Sequence, residues 1–331
     1  MDDLTPYPWQ YHQWQILHEQ RRRNLLPHAM LFYGQPGLGL DHFAHCFVQS
    51  LVCRSVDDNG FACGQCPACR QFAQGVYPDY QQVTIAEDKS AILVDQIREL
   101  NEFIGLTQGT SGRKVVLLSP ADRMNINAAN SFLKTLEEPS GDTMIVLVAH
   151  SLSRLPATIK SRCQLLKFSK PDKVMARQWL EQRGCTEVDH LLHLSSGAPC
   201  LAETLNDKAL LDAYSNSIAA LLEALESRQT MPELRRVTSA AEISRLVLWI
   251  QSLLRDLQRA FHGMPDVYFE NSFHIQQLRR LSGLLDFRSV FEAGDRFLKL
   301  GATIDHPLNA DLLLDDVLQT WMTLTANTTG K

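Results

Sequence analysis

Gly34-Gln35-Pro36-Gly37-Leu38-Gly39-Leu40-Asp41 has the glycine spacing of a phosphate-binding loop, but Leu40 and Asp41 stand where a nucleotide hydrolase needs Lys followed by Ser or Thr. In a working loop the backbone N–H groups wrap the phosphates, the Lys neutralises their charge and the hydroxyl holds Mg²⁺. Leu40 carries no charge, and Asp41 would set a carboxylate beside a polyanion. Gly34, Gly37 and Gly39 therefore read as a degenerate cradle, one that binds no ATP or does not hydrolyse it.

The flanking sequence supplies the context such a loop requires. Ala29-Met30-Leu31-Phe32-Tyr33 is an apolar run leading into Gly34, and the stretch from Asp41 through Leu51 continues as a helix. A glycine-rich turn between unrelated elements is the alternative on the letters alone. Lys114-Val115-Val116-Leu117-Leu118 reads as a second strand, buried on both faces. After it, where a hydrolase carries its acidic metal-holding pair, come Ser119 and Pro120, which can neither hold Mg²⁺ nor orient water. Asp122 lies too far along and reads as a solvated or capping carboxylate. Ile126, Ala129, Leu133 and Leu136 are spaced to share one helix face that ends at Pro139. Thr143 to Ala149 and Cys163 to Phe168 are further strands. The alternation of strand and helix predicts an α/β, doubly wound parallel sheet.

With 331 residues, 45% hydrophobic and 21% charged, the chain is long enough for two or three domains. A net charge of −5 argues against DNA binding through a broad basic face, which relies on Lys and Arg displacing counterions. The one basic run, Arg21-Arg22-Arg23, reads as a solvated helix face. No secretory pattern opens the chain and no stretch approaches the ~18 apolar residues of a membrane span, so a cytoplasmic protein without a membrane segment is expected. From Lys170 onward the pattern is helical, including Ile243 to Phe261 and the Leu-rich Leu308 to Leu318. Periodicity does not say whether the apolar face of Trp249, Leu253 and Leu257 meets its own chain or another.

Of eight cysteines, Cys53, Cys63, Cys66 and Cys69 follow C-x9-C-x2-C-x2-C. Four thiolates so closely spaced suit tetrahedral Zn²⁺ in a closed structural site; an iron–sulfur cluster could use the same ligands. Cys46 belongs to a helical core pattern, and Cys163, Cys185 and Cys200 are too scattered to form a site.

Three segments then line up: Asn130-Ser131-Phe132-Leu133-Lys134-Thr135-Leu136-Glu137-Glu138-Pro139, Leu155-Pro156-Ala157-Thr158-Ile159-Lys160-Ser161-Arg162-Cys163, and the cysteine cluster inserted after the loop helix. Together they closely resemble bacterial clamp-loader subunits of the AAA+ class. The resemblance implies an AAA+ core over residues 1–169 with a zinc module at about 53–69, a three-helix lid over 170–207, and a helical collar over 208–331 that joins subunits into a ring. It also implies a structural zinc ion on the four cysteines. Motor members keep Lys-Thr, an acidic pair and a lid arginine; here the lid segment Gly197-Ala198-Pro199-Cys200 offers Cys200 instead. The chain is thus similar to the non-hydrolysing member of the DNA polymerase III clamp loader. Implied partners are the gamma/tau motor subunits and the delta subunit in a hetero-oligomer, with the sliding clamp and primed DNA met through the complex.

By the same resemblance Ser161 and Arg162 belong to a catalytic motif at the subunit boundary, with Arg162 an arginine finger reaching the ATP of a neighbouring motor. An ordinary surface arginine before a strand is the plainer alternative. Two rival functions are kept: an active AAA+ motor with an unusual loop, and a zinc-dependent DNA-binding module.

Overall fold

Five strands form one sheet in which every neighbour runs parallel: β1 (Ala29–Tyr33), β2 (Tyr80–Val83), β3 (Lys114–Leu118), β4 (Thr143–Ala149) and β5 (Gln164–Lys167), in spatial order β2-β3-β4-β1-β5. The computed structural model describes residues 4–87, 89–106, 113–227, 234, 239–303 and 310–326. All five residues of β3 and all seven of β4 are buried, as their unbroken apolar runs predict for strands covered on both faces. The register places Leu31 beside Leu147 and Leu165, and Leu118 beside Leu147, so the carboxyl ends of β3, β4 and β1 meet at one edge. In open parallel sheets that edge is where ligand sites form.

Alternate strand residues serve opposite faces. Leu31, Val116, Leu118, Ile145 and Leu147 pack on α4 (Val94–Gly105), α5 (Ile126–Glu137) and α6 (Ala157–Lys160) through Ile97, Leu100, Phe132, Leu136 and Ile159. On the other face Phe32 meets Phe43 and Phe47 of α2 (Leu40–Val52) edge-on, and Trp14 of α1 (Tyr11–Arg22) completes the aromatic layer. Lys114 is fully buried, its Nζ donating to the carbonyls of Leu106 at 2.6 Å and Phe103 and lying 4.7 Å from the Phe103 ring centroid. It thereby satisfies the orphan carbonyls at the end of α4.

One predicted face needs correction. Ala129, Leu133 and Leu136 turn inward, but Ile126 is 77% exposed, and the buried face of α5 is Ala128, Ala129, Phe132 and Leu136. Ile126 is the first helical residue, directly after the cap Asn125, whose side chain accepts from the Ala128 N–H at 2.7 Å; no layer covers the helix there. Helical spacing alone could not reveal that.

Contacts divide the chain into two units, Met1–Ala176 and Arg177–Lys331. The second is helical: most of α7 (Lys173–Gln182), then α8 (Val188–Leu194), α9 (Pro199–Thr204), α10 (Lys208–Ser227), α11 (Ala240–Phe261), α12 (Ile275–Ser282), α13 (Phe287–Thr303) and α14 (Ala310–Ala326). The stretch read from Leu308 begins outside the described residues; its later part lies in α14. A capping box between Ser239 and Glu242 starts α11, which packs against α10, α12, α13 and α14. Leu253 and Leu257 are fully buried there and Trp249 stands edge-on to Tyr214 at 5.2 Å, so this apolar face is covered by the chain's own helices. No described helix is long and apolar enough to cross a membrane.

Candidate functional site

The glycine loop joins β1 to α2, as the sequence predicts. Gly37 and Gly39 take left-handed conformations at φ 80° and 76°, which glycine adopts without a Cβ penalty. A Cβ on Gly34 would lie 2.7 Å from the Phe168 carbonyl oxygen, so the loop threads close to the chain after β5 (Gln164–Lys167). The Leu38 carbonyl accepts from Trp9 Nε1 at 2.9 Å and Gln10 Nε2 at 2.8 Å, and Gln10 also donates to the Gly39 carbonyl at 2.9 Å. Leu40, at the position of a phosphate-binding Lys, is 1% exposed and belongs to the core.

Asp41 follows on the first turn of α2. Its carboxylate accepts a hydrogen bond from the Ser119 hydroxyl at the end of β3 and faces His150 Nε2, just past β4, at 3.7 Å. Burial would raise the Asp41 pKa, but His150 and Ser119 outweigh it and hold the carboxyl below its ordinary range. The hydrogen bond and charge of Asp41 raise the His150 pKa in turn. Asp122 acts as a cap, accepting from the His150 and Ser151 N–H groups at 3.0 and 3.1 Å. The ends of β3 and β4 and the first turn of α2 thus bring together a hydroxyl, an imidazole and a carboxylate, with Asp41 accepting from Ser119 and facing His150, whose Nδ1 is buried without a hydrogen-bond partner. This set lacks the hydroxyl beside an acidic pair that would seat Mg²⁺. His150 was not singled out in the sequence; its signal is its place as the first polar residue after β4, on the same edge as Ser119.

Arg162 lies directly after α6, where Ser161 caps the helix and donates through Oγ to the Thr158 carbonyl at 3.1 Å. The guanidinium donates from Nε to Glu137 Oε1 at 2.8 Å, from Nη2 to the same oxygen, and from Nη1 to the Thr158 carbonyl at 2.9 Å and Ser161 Oγ at 3.3 Å. The Arg162 side chain remains 30% exposed and that of Glu137 50%. Sequence reasoning placed Glu137 in a motif but gave it no role. Cys200 is half-buried at the start of α9.

Cys53, at the end of α2, and Cys63, Cys66 and Cys69, around the start of α3 (Pro67–Ala73), converge with all four sulfurs within 4.8 Å of one another. The Cys53 and Cys63 sulfurs are 3.6 Å apart, close to the ~3.8 Å edge of a tetrahedron with ~2.3 Å Zn–S bonds. Backbone N–H groups of Ser55, Cys63, Cys66 and Cys69 point at the sulfurs from 3.3 to 3.4 Å, a donor arrangement that favours thiolates. Against its burial, such bonds and its thiol neighbours bring Cys66 down to about 6, and backbone donors lower Cys63, while burial pushes Cys53 and Cys69 up. The four cysteines can hold a structural metal ion. Cys46 is buried in the core, and Cys163, Cys185 and Cys200 join no such cluster among the described residues.

Comparison with known proteins agrees with this architecture. A family model described as DNA polymerase III, delta subunit, matches residues 9–172, and one described as its C-terminal part matches 208–323. The chain is 36% identical over 247 residues to the DNA polymerase III subunit delta′ of Pseudomonas aeruginosa, covering 73% of this chain and 74% of that one. Against the Escherichia coli delta′ subunit identity is 30%, with 79% and 78% covered, and against that of Yersinia pestis 29%, with 96% and 95% covered.

Proposed function

This chain belongs to the DNA polymerase III delta′ family, a clamp-loader subunit with an AAA+ core, and from that premise we propose that it works without hydrolysing ATP and lends Arg162 to a neighbouring motor. The observation that carries the first half is the closure of Asp41 on Ser119 and His150, together with the burial of Leu40. A hydrolase needs a cation, a metal-holding hydroxyl and acids at these positions; here the corresponding groups neutralise one another or face the core.

The second half rests on Arg162. It sits on the surface at a helix end, and its planar fork of donors suits a transferring phosphoryl group. The partners this reading requires are gamma or tau motor subunits and delta, assembled through a helical collar over 208–331, with a lid over 170–207 and a core over 1–169. Sliding clamp and primed DNA are engaged through that assembly, in the cytoplasm. Four thiolates in a closed site favour Zn²⁺, which here would tie the end of α2 to the start of α3 and leave no open position for chemistry.

The test is a reconstituted complex of this chain with motor and delta subunits, assayed for ATP turnover with clamp and primed DNA. Arg162→Ala should lower stimulated turnover at least tenfold at the site it serves, with assembly by gel filtration unchanged. Unchanged turnover would remove the finger, and ATP hydrolysis by the isolated chain at motor rates would restore the motor reading.

A further inference from the structure

We propose that Glu137 is a parking partner for Arg162, holding the guanidinium on its own chain until a neighbour's phosphate displaces the carboxylate. This rests on the finger reading above and adds a regulatory element to it. Four donor contacts tie Arg162 down: Nε and Nη2 to one Glu137 oxygen, and Nη1 to the Thr158 carbonyl and Ser161 Oγ. A guanidinium has five N–H donors, and bidentate grip of a phosphate uses two on one edge. In this arrangement the Nε/Nη2 edge is taken by Glu137, so it can meet a phosphate only when Glu137 lets go.

The geometry makes release easy. The pair is surface-facing, with side chains 30% and 50% exposed, and exposed pairs bind weakly. Glu137 is the last residue of α5 and Arg162 follows the short helix α6; both helices stay anchored in the core through Leu136 and Ile159, so release needs only rotation of the two surface side chains. The incoming phosphate is more highly charged than a carboxylate, and its charge repels Glu137 while attracting Arg162. The exchange therefore runs toward the phosphate once the neighbouring ATP is brought close. The Thr158 and Ser161 contacts come from residues adjoining Arg162 and travel with it, leaving Glu137 as the group that must be exchanged.

The experiment uses the same reconstituted complex, with turnover measured both without and with clamp and primed DNA. Glu137→Ala should raise unstimulated turnover about two- to fivefold, the range expected for losing an exposed ion pair, and leave saturated stimulated turnover unchanged. Glu137→Gln, which keeps the side chain's shape, should move in the same direction. In an Arg162→Ala background neither change should have any effect, and Glu138→Gln serves as the charge control. A damaged fold lowers both rates and cannot produce a selective rise in the unstimulated one. Unstimulated turnover that stays level or falls in both Glu137 variants, while Arg162→Ala still lowers the stimulated rate, would overturn parking and spare the finger. Loss of any Arg162→Ala effect would remove both.

Discussion

Asp41 and Asp256 are both helix carboxylates that gather groups from other segments of the chain, yet they do so under opposite conditions. Asp256, in α11, is fully buried; its oxygens accept from the backbone N–H groups of Glu270 and Asn271 at 2.9 and 2.7 Å, from Asn271 Nδ2 at 2.8 Å and from Arg259 at 2.7 Å. Asn271 also donates to Ser252 at 2.8 Å and accepts from the Tyr214 hydroxyl, while Arg255 pairs with Glu270 at 2.6 Å. Asp41 has two side-chain partners and its own side chain is 55% exposed. The saturated, buried network is there to shape the helical unit. The sparse, half-open one lies at the strand edge where a phosphate site would be. Buried polar groups with full hydrogen bonding carry a high penalty for disruption, and exposed ones a low penalty.

The largest expected effect is therefore Asp256→Ala, which strands the buried backbone N–H groups of Glu270 and Asn271 and leaves Arg259 with Glu270 and the Asn271 amide with Ser252 as their remaining partners. A loss of about 3–5 kcal/mol is expected in the helical unit. Hydrogen exchange of the α11 amides would read it, and protection within experimental error of wild type would break the contrast.

Next is the cysteine module. Chelation, or Cys69→Ser at the buried sulfur, should expose the stretch from Cys53 to Cys69 to proteolysis while the β3 and β4 amides stay protected. One equivalent of metal in the purified chain, lost in the variant, is the companion measurement. A chain that carries no metal and resists protease equally with and without chelator would remove the metal reading.

Much of this was legible in the sequence because the signals are local. The glycine loop, the strands from Lys114 and Thr143 and the C-x2-C-x2-C run each declare themselves within a dozen residues. What escaped depends on chain segments far apart. Asp41, Ser119 and His150 meet only because β1, β4 and β3 lie side by side in the sheet, and sequence order does not print that adjacency. The Arg162 to Glu137 contact spans 25 residues and two helices. Lys114 opens a strand, and nothing around it announces that its charge ends on the carbonyls of α4. Ile126 shows the complementary failure: a periodic match counted as buried where the helix had not yet reached a neighbour.

The smallest effect tests the half-open side of the contrast through pH. The His150 pKa is raised in the folded chain, so its pairing stabilises fully below the unfolded value of about 6.5 and fades as pH climbs through the folded value. The Asp41 pKa is lowered, so its share is present above about 3.8 and is lost as pH falls through the folded value. Both favour folding between these limits, and as pH climbs above about 6.5 the His150 share should drain away. His150→Asn should flatten that slope in urea unfolding monitored at the sheet. With the Asp41 side chain 55% exposed, the difference should not exceed about 1 kcal/mol. A slope that survives in His150→Asn would assign it to another group, and one several times steeper would mean that Asp41 is as firmly held as Asp256.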